Sequence, residues 1–187
     1  MDLFNKPSVP LQKKAADIRT LFPATSWIVF VSLVSAITAL LQTAGGAIPV
    51  AGMFISPLST LPIIVMTLIS RLYGLYTYTL TIILLVFIQP AEILIFTFTT
   101  GLLGIGLGLG FNKLKRRFFI ALSGCIFLFS GMCTMLYGFS FPLFGADFPY
   151  PKDSILLPGL CLFSLAYSFA WTEFTLLILK KRWNIIL

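Results

Sequence analysis

The side chains able to do chemistry in this 187-residue chain are few: six acidic residues, three cysteines and no histidine. Serine catalysis of the rhomboid type and zinc or glutamate–histidine proteolysis need a histidine as base or ligand, so the chain reads as a non-enzyme. Cys125, Cys133 and Cys161 lie inside apolar runs without CxxC spacing, and small buried apolar residues are expected there rather than metal ligands. The run Gly101 to Gly110 (GLLGIGLGLG) has the glycine density of a phosphate loop. A phosphate cradle, however, opens a helix after a strand, whereas here Leu and Ile fill the positions between the glycines of an apolar run. Gly104 with Gly108 and Gly106 with Gly110 instead form GxxxG pairs, the spacing of close helix contacts. No cofactor and no metal are implied.

Charged or amide side chains inside apolar runs are costly enough to be functional hypotheses by default. Glu173 stands near the inner end of the last run, where Lys180 or Arg71 can neutralise it, as a structural ion pair or as a proton- or substrate-coupling group. Gln89 and Glu92 stand at the boundary between two runs and are the better candidates for a ligand's polar groups. Tyr137, Tyr150, Tyr167 and Trp171 can sandwich a planar ligand, although Tyr and Trp also belong to interfacial belts.

The elements that must position these residues are membrane spans. The chain is 58% hydrophobic and 10% charged with a mean hydropathy of +1.01, against about 25% charged residues in soluble domains. Six apolar segments, near 24–44, 58–72, 73–89, 91–111, 118–139 and 158–179, predict an all-α bundle of six transmembrane helices over residues 21–187. Residues 1–20 form a cytoplasmic arm or short interfacial helix. Residues 58–88 as one helix would run roughly 46 Å, too long for a ~30 Å hydrocarbon core. A hairpin at Arg71-Leu72-Tyr73-Gly74, with the glycine as cap, is therefore expected, and Pro90 is expected to open the fourth helix. The basic N-terminus resembles a signal peptide, but the first run is a full span long with only a weak cleavage site after it.

Of the thirteen Lys and Arg residues, all but Lys152 fall on one face under this count. The positive-inside rule then places both termini in the cytoplasm of a cell (inner) membrane protein. The formal charge of +7 sits at segment ends and reads as topology, not as a nucleic-acid surface. Two outer loops, Gly45–Pro57 and Phe139–Pro158, are too apolar to be solvated and are expected to fold back as a lid over a ligand site in the outer half. Ser32, Ser35, Ala36 and Ala39 on the first helix form interleaved small-xxx-small pairs, for packing within the chain or for docking a partner.

Six spans in under 200 residues, the small-residue face on helix 1 and the apolar stretch AGGAIPVAGMFISPLSTLPIIV resemble the substrate-binding S components of energy-coupling factor transporters. The stretch from Pro57 to Phe111 is similar to YybS-like membrane proteins related to that fold. The resemblance implies a bundle that binds a vitamin or similar small molecule beneath loop 1. It also implies docking, through helix 1, on a transmembrane coupling protein with ATPase subunits. Helix 1 departs from the family's alanine-xxx-alanine pattern by carrying Ser32 and Ser35. A reading of another class is a non-transporting membrane scaffold or envelope-assembly partner, MreD-like in size and span count.

The charge distribution makes a direct prediction. Cysteines introduced at residues 115 and 181 are expected to resist a membrane-impermeant thiol reagent in intact cells and to react after permeabilisation. Labelling from outside would reverse the assigned orientation.

Overall fold

A computed structural model describes residues 8–48, 50–141 and 153–186, without the side chains of residues 8–10, 24, 153 and 180–186. All regular structure among these residues is helical. Six helices are long and apolar enough to cross a membrane. Span 1 is Thr25–Ala47, span 2 Ala51–Ile69, span 3 Arg71–Ile88, span 4 Pro90–Lys113, span 5 Arg117–Gly138 and span 6 Ser154–Leu179. The chain is thus an all-α, multi-pass membrane protein. Consecutive spans run in opposite directions, so Arg19, Arg71 and residues Lys113 to Arg117 gather at one end of the bundle, here the basic end. The opposite is the far end.

The arm is a helix, Ser8–Leu21, lying across the basic ends of spans 2 and 4. Leu11 and Ala15 enter the core, and the Gln12 Nε2 donates to the Phe111 carbonyl at 2.6 Å.

Spans 2 and 4 form the centre. Span 4 packs against span 2 on one side and span 5 on the other, span 1 packs on spans 2 and 3, and span 6 leans mainly on span 5. The glycines of span 4 set these contacts. A Cβ on Gly104 would stand 2.8 Å from Ile63 Cβ, and one on Gly108 2.4 Å from Thr67 Cβ, both in span 2. Gly106 meets Phe127 and Gly110 meets Ile120, both in span 5. The two GxxxG pairs therefore serve opposite helix faces, as residues four apart share a face. Span 6 meets span 5 through a hydroxyl stripe, Ser164, Ser168, Thr172 and Thr175, each fully buried. Short side chains again allow close approach. The bilayer-facing sides are apolar, as at Leu33, Ile37 and Leu40 of span 1 and Leu75, Ile83 and Phe87 of span 3.

Three boundaries differ from expectation. The break between spans 2 and 3 is one extended residue, Ser70 (φ −155°, ψ 135°), and helix resumes at Arg71. Gly74 is not a cap but lies within span 3, where a Cβ would stand 2.1 Å from Thr67 Oγ1. Nor is residues 45–57 a folded-back loop. Span 1 runs through Gly45 and Gly46 to Ala47, and helix resumes at Ala51 after a turn in which Val50 takes φ 61°. That conformation is strained for a β-branched residue. In hydrocarbon an open loop leaves backbone groups without partners, so helix is the cheaper conformation even for a Gly- and Pro-rich stretch. Pro57 is the second residue of a 3-10 turn, Ser56–Ser59, inside span 2, so the winding changes at the residue that lacks an N–H. Of the second expected lid, residues 142–152 lie outside the described residues, and the helix containing span 6 already starts at Asp153.

The packing separates two glycine substitutions. A Cβ at Gly131 of span 5 would stand 1.8 Å from the Phe98 carbonyl oxygen, whereas at Gly159 it would meet nothing within 4 Å. Thermal unfolding in detergent is expected to show Gly131→Ala destabilised by about 1 to 3 kcal/mol or more. Gly159→Ala is expected to be neutral or stabilising by up to about 1 kcal/mol.

Candidate functional site

Inside the far half of the bundle three spans build a hydrogen-bonded polar centre. Gln42 of span 1 is fully buried. Its side-chain carbonyl Oε1 accepts from Ser59 Oγ of span 2 at 2.8 Å and from Thr100 Oγ1 of span 4 at 2.9 Å. With the carbonyl saturated by two hydroxyls, its Nε2 is left to donate, and it does so to Glu92 Oε2 at 2.8 Å. Glu92, 8% exposed, lies in the 3-10 turn that opens span 4, where a helix N-terminus favours an anion.

Local backbone geometry puts these groups together. Gly46 of span 1 leaves room for Gln89, whose Nε2 would stand 1.9 Å from a Cβ there. Gly45 faces Ser56 Oγ and Glu92 Oε1, at 3.2 and 3.3 Å from its would-be Cβ. Span 2 is wound as a 3-10 turn at Ser56–Ser59 and span 4 as a π-turn at Phe96–Thr100. Such irregular turns inside spans re-aim side chains and occur often at functional sites.

Of the sequence candidates, Gln89 and Glu92 belong to this centre. Tyr137 is at the far end of span 5 and exposed, and Tyr150 lies outside the described residues. Tyr167 and Trp171 do not join them. They lie about 21 and 27 Å along the helix from Asp153, Tyr167 at the middle of span 6 and Trp171 nearer its basic end. There Tyr167 stacks on Phe163 at 5.5 Å and meets Trp171 edge-on at 6.3 Å. Trp171 is a core residue. Positions 167 and 171 share one face of span 6, Tyr137 stands on span 5, and Tyr150 lies outside the described residues.

Of the two expected partners of Glu173, the Lys180 side chain lies outside the described residues and Arg71 makes no described ion pair with it. Arg117 Nη1 of span 5 bonds both its carboxylate oxygens, at 2.9 and 2.8 Å. The pair ties span 5 to span 6 at the basic end. On span 1, Ser35 and Ala39 face inward and are fully buried, Ser35 bonding Val31 O at 2.7 Å and approaching Thr77 O of span 3. Ser32 and Ala36 face outward. The expected docking face is therefore two faces, because positions 32 and 35 start different i, i+4 rows.

Cavities of about 480 and 460 Å³ lie elsewhere. The first is an apolar groove between spans 1 and 3 lined by Trp27, Ser32, Tyr73 and Tyr76 among others, with Trp27 stacked on Tyr73 at 5.1 Å. The second lies at the basic end beside Gln12, Arg19 and Asn112. Neither is lined by residues of the polar centre. Sequence reasoning passed over Gln42, Ser59 and Thr100. An amide within the run Leu40-Leu41-Gln42-Thr43 was the available signal.

Gln42 is the keystone, since its loss leaves Ser59, Thr100 and Glu92 without these bonds. Gln42→Leu is expected to lower stability by about 1 to 3 kcal/mol for each group left unsatisfied, read as a fall in the midpoint of thermal unfolding. Ser130→Ala, on an exposed bond to its own helix, is expected to change it little. Comparison with protein-family models, with curated proteins and with solved structures gave no match.

Proposed function

We propose that this chain is the substrate-binding membrane subunit of an energy-coupling-factor-type importer for a vitamin or similar small molecule. The observation that carries the reading is the Gln42–Glu92 centre, a carboxylate, an amide and two hydroxyls that three spans bring together inside the bundle. Polar groups are costly within a bilayer and are characteristic of substrate and ion sites there. Its place at the far end, opposite the basic clusters, fits a site reached from outside the cell. Gln89, half-buried beside exposed Pro90 and Gly46, lies between the centre and the surface. Tyr137 borders the same end. Ser32 and Ala36, outward on span 1 beside the apolar groove, offer a small-residue face for a coupling protein's helix, and the chain itself hydrolyses nothing.

The second reading, a non-transporting scaffold, is favoured by the mutual satisfaction of Gln42 and its partners, which is also what a structural polar clamp needs. Mass spectrometry of small molecules extracted from the purified chain separates the two. The importer reading expects one retained compound, with Glu92→Ala weakening its affinity by roughly 5- to 150-fold, the equivalent of one buried hydrogen bond. It further expects Ala36→Leu to block capture of the coupling protein and ATPases without affecting ligand retention. An empty chain that co-purifies with envelope-assembly proteins would overturn it.

A further inference from the structure

No cation among the described residues pairs with the carboxylate of the polar centre. Glu92 lies nine-tenths buried, and the one described hydrogen bond of its carboxylate comes from the Gln42 amide to Oε2. Oε1 faces Gly45 and Gly46 of span 1 and has no hydrogen-bond partner among the described residues. Charges on the elements packed around it are remote. Spans 1 and 2 carry none, span 3 carries Arg71 and span 5 carries Arg117, both at the basic end, where Arg117 is committed to Glu173. Asp147 and Lys152 lie outside the described residues.

A carboxylate that is mostly buried with no counter-charge among the described residues is costly in its ionised form, and Oε1 is not among the fully buried unpartnered atoms, so it can be reached from the surface. The groups beside Oε1 are suited to holding a counter-charge supplied from outside. Ser56 Oγ and Oε1 both face Gly45, and the last turn of span 1 directs backbone carbonyl oxygens toward this end of the bundle. Side-chain hydroxyl, carboxylate and main-chain carbonyl are hard oxygen donors. The Gln89 amide, half-buried, closes the Gly46 side and is free to turn its oxygen inward, as an amide offers both a donor and an acceptor.

We propose that Glu92 Oε1 is the anionic pole of a monovalent-cation site, closed by Ser56, the end of span 1 and Gln89. The cation is a small metal ion or the ammonium group of an amine ligand, and both present the same charge to the carboxylate. The proposal rests on the reading of this centre as a ligand site.

The test uses the full chain in phosphatidylcholine nanodiscs with radioactive sodium as probe, at constant ionic strength held by bulky N-methylglucammonium. Saturable binding of sodium, displaced by excess unlabelled sodium, is expected if the site takes a metal ion. Thermal stabilisation by methylammonium, without sodium binding, is expected if it takes an amine head. Glu92→Gln keeps the shape and removes the charge, and is expected to weaken either by roughly tenfold or more. Ser56→Ala is the milder variant should Glu92→Gln fail to fold, with a several-fold loss expected. Absence of both effects in the unsubstituted chain overturns the proposal, as does stabilisation that follows pH alone, which would make Glu92 a proton site. A neutral or anionic compound retained without cation binding overturns the cation site and leaves the substrate-binding reading standing. Cation binding with no retained compound does the reverse.

Discussion

Span 4 meets spans 2 and 5 at four glycines that put no side chain of their own between the helices, and the rest of the bundle is arranged around that closeness. Gly104 and Gly108 lie on span 2, and Gly106 and Gly110 on span 5. In lipid there is no hydrophobic force to draw helices together, so contact area and backbone proximity must do it. With spans 2, 4 and 5 in place, span 6 adds to span 5 through its hydroxyl stripe and the Arg117–Glu173 clamp. Span 1 adds to spans 2 and 3 through Ser35 and Ala39.

The same closeness decides where polar side chains can meet. At the far end spans 1, 2 and 4 are near enough for one amide, Gln42, to reach a hydroxyl on each neighbour and a carboxylate besides. Gly45 and Gly46 extend that proximity by one turn toward Gln89 and Glu92. Two ionisable groups with similar sequence surroundings thereby differ in situation. Glu173 meets a guanidinium through two hydrogen bonds, whereas Glu92 meets a neutral amide. The first is a clamp and the second retains unused acceptor capacity, the physical basis for assigning the site to the far half.

Glycine and proline acquire different meanings in this solvent. In water, AGGAIPVAGMFISP would suggest a mobile loop. Within a membrane-spanning bundle its glycines are helical contact points, and Pro57 lies within a 3-10 turn. The unsatisfied backbone of a loop costs more there than the low helix propensity of its residues.

The sequence by itself determined the solvent, the number of spans and the GxxxG contacts of span 4. These depend on run length, on where charges interrupt the runs and on the helical period, which are local properties. It also singled out Gln89 and Glu92, because charge or amide in an apolar run is conspicuous wherever it folds. Only the tertiary structure decided that Gln42, 50 residues from Glu92 along the chain, is its partner and that Arg117 pairs with Glu173. It likewise divided the small residues of span 1 between an inner and an outer face. Such pairings follow from which helices are neighbours and how each is rotated, and no single run of residues carries that information.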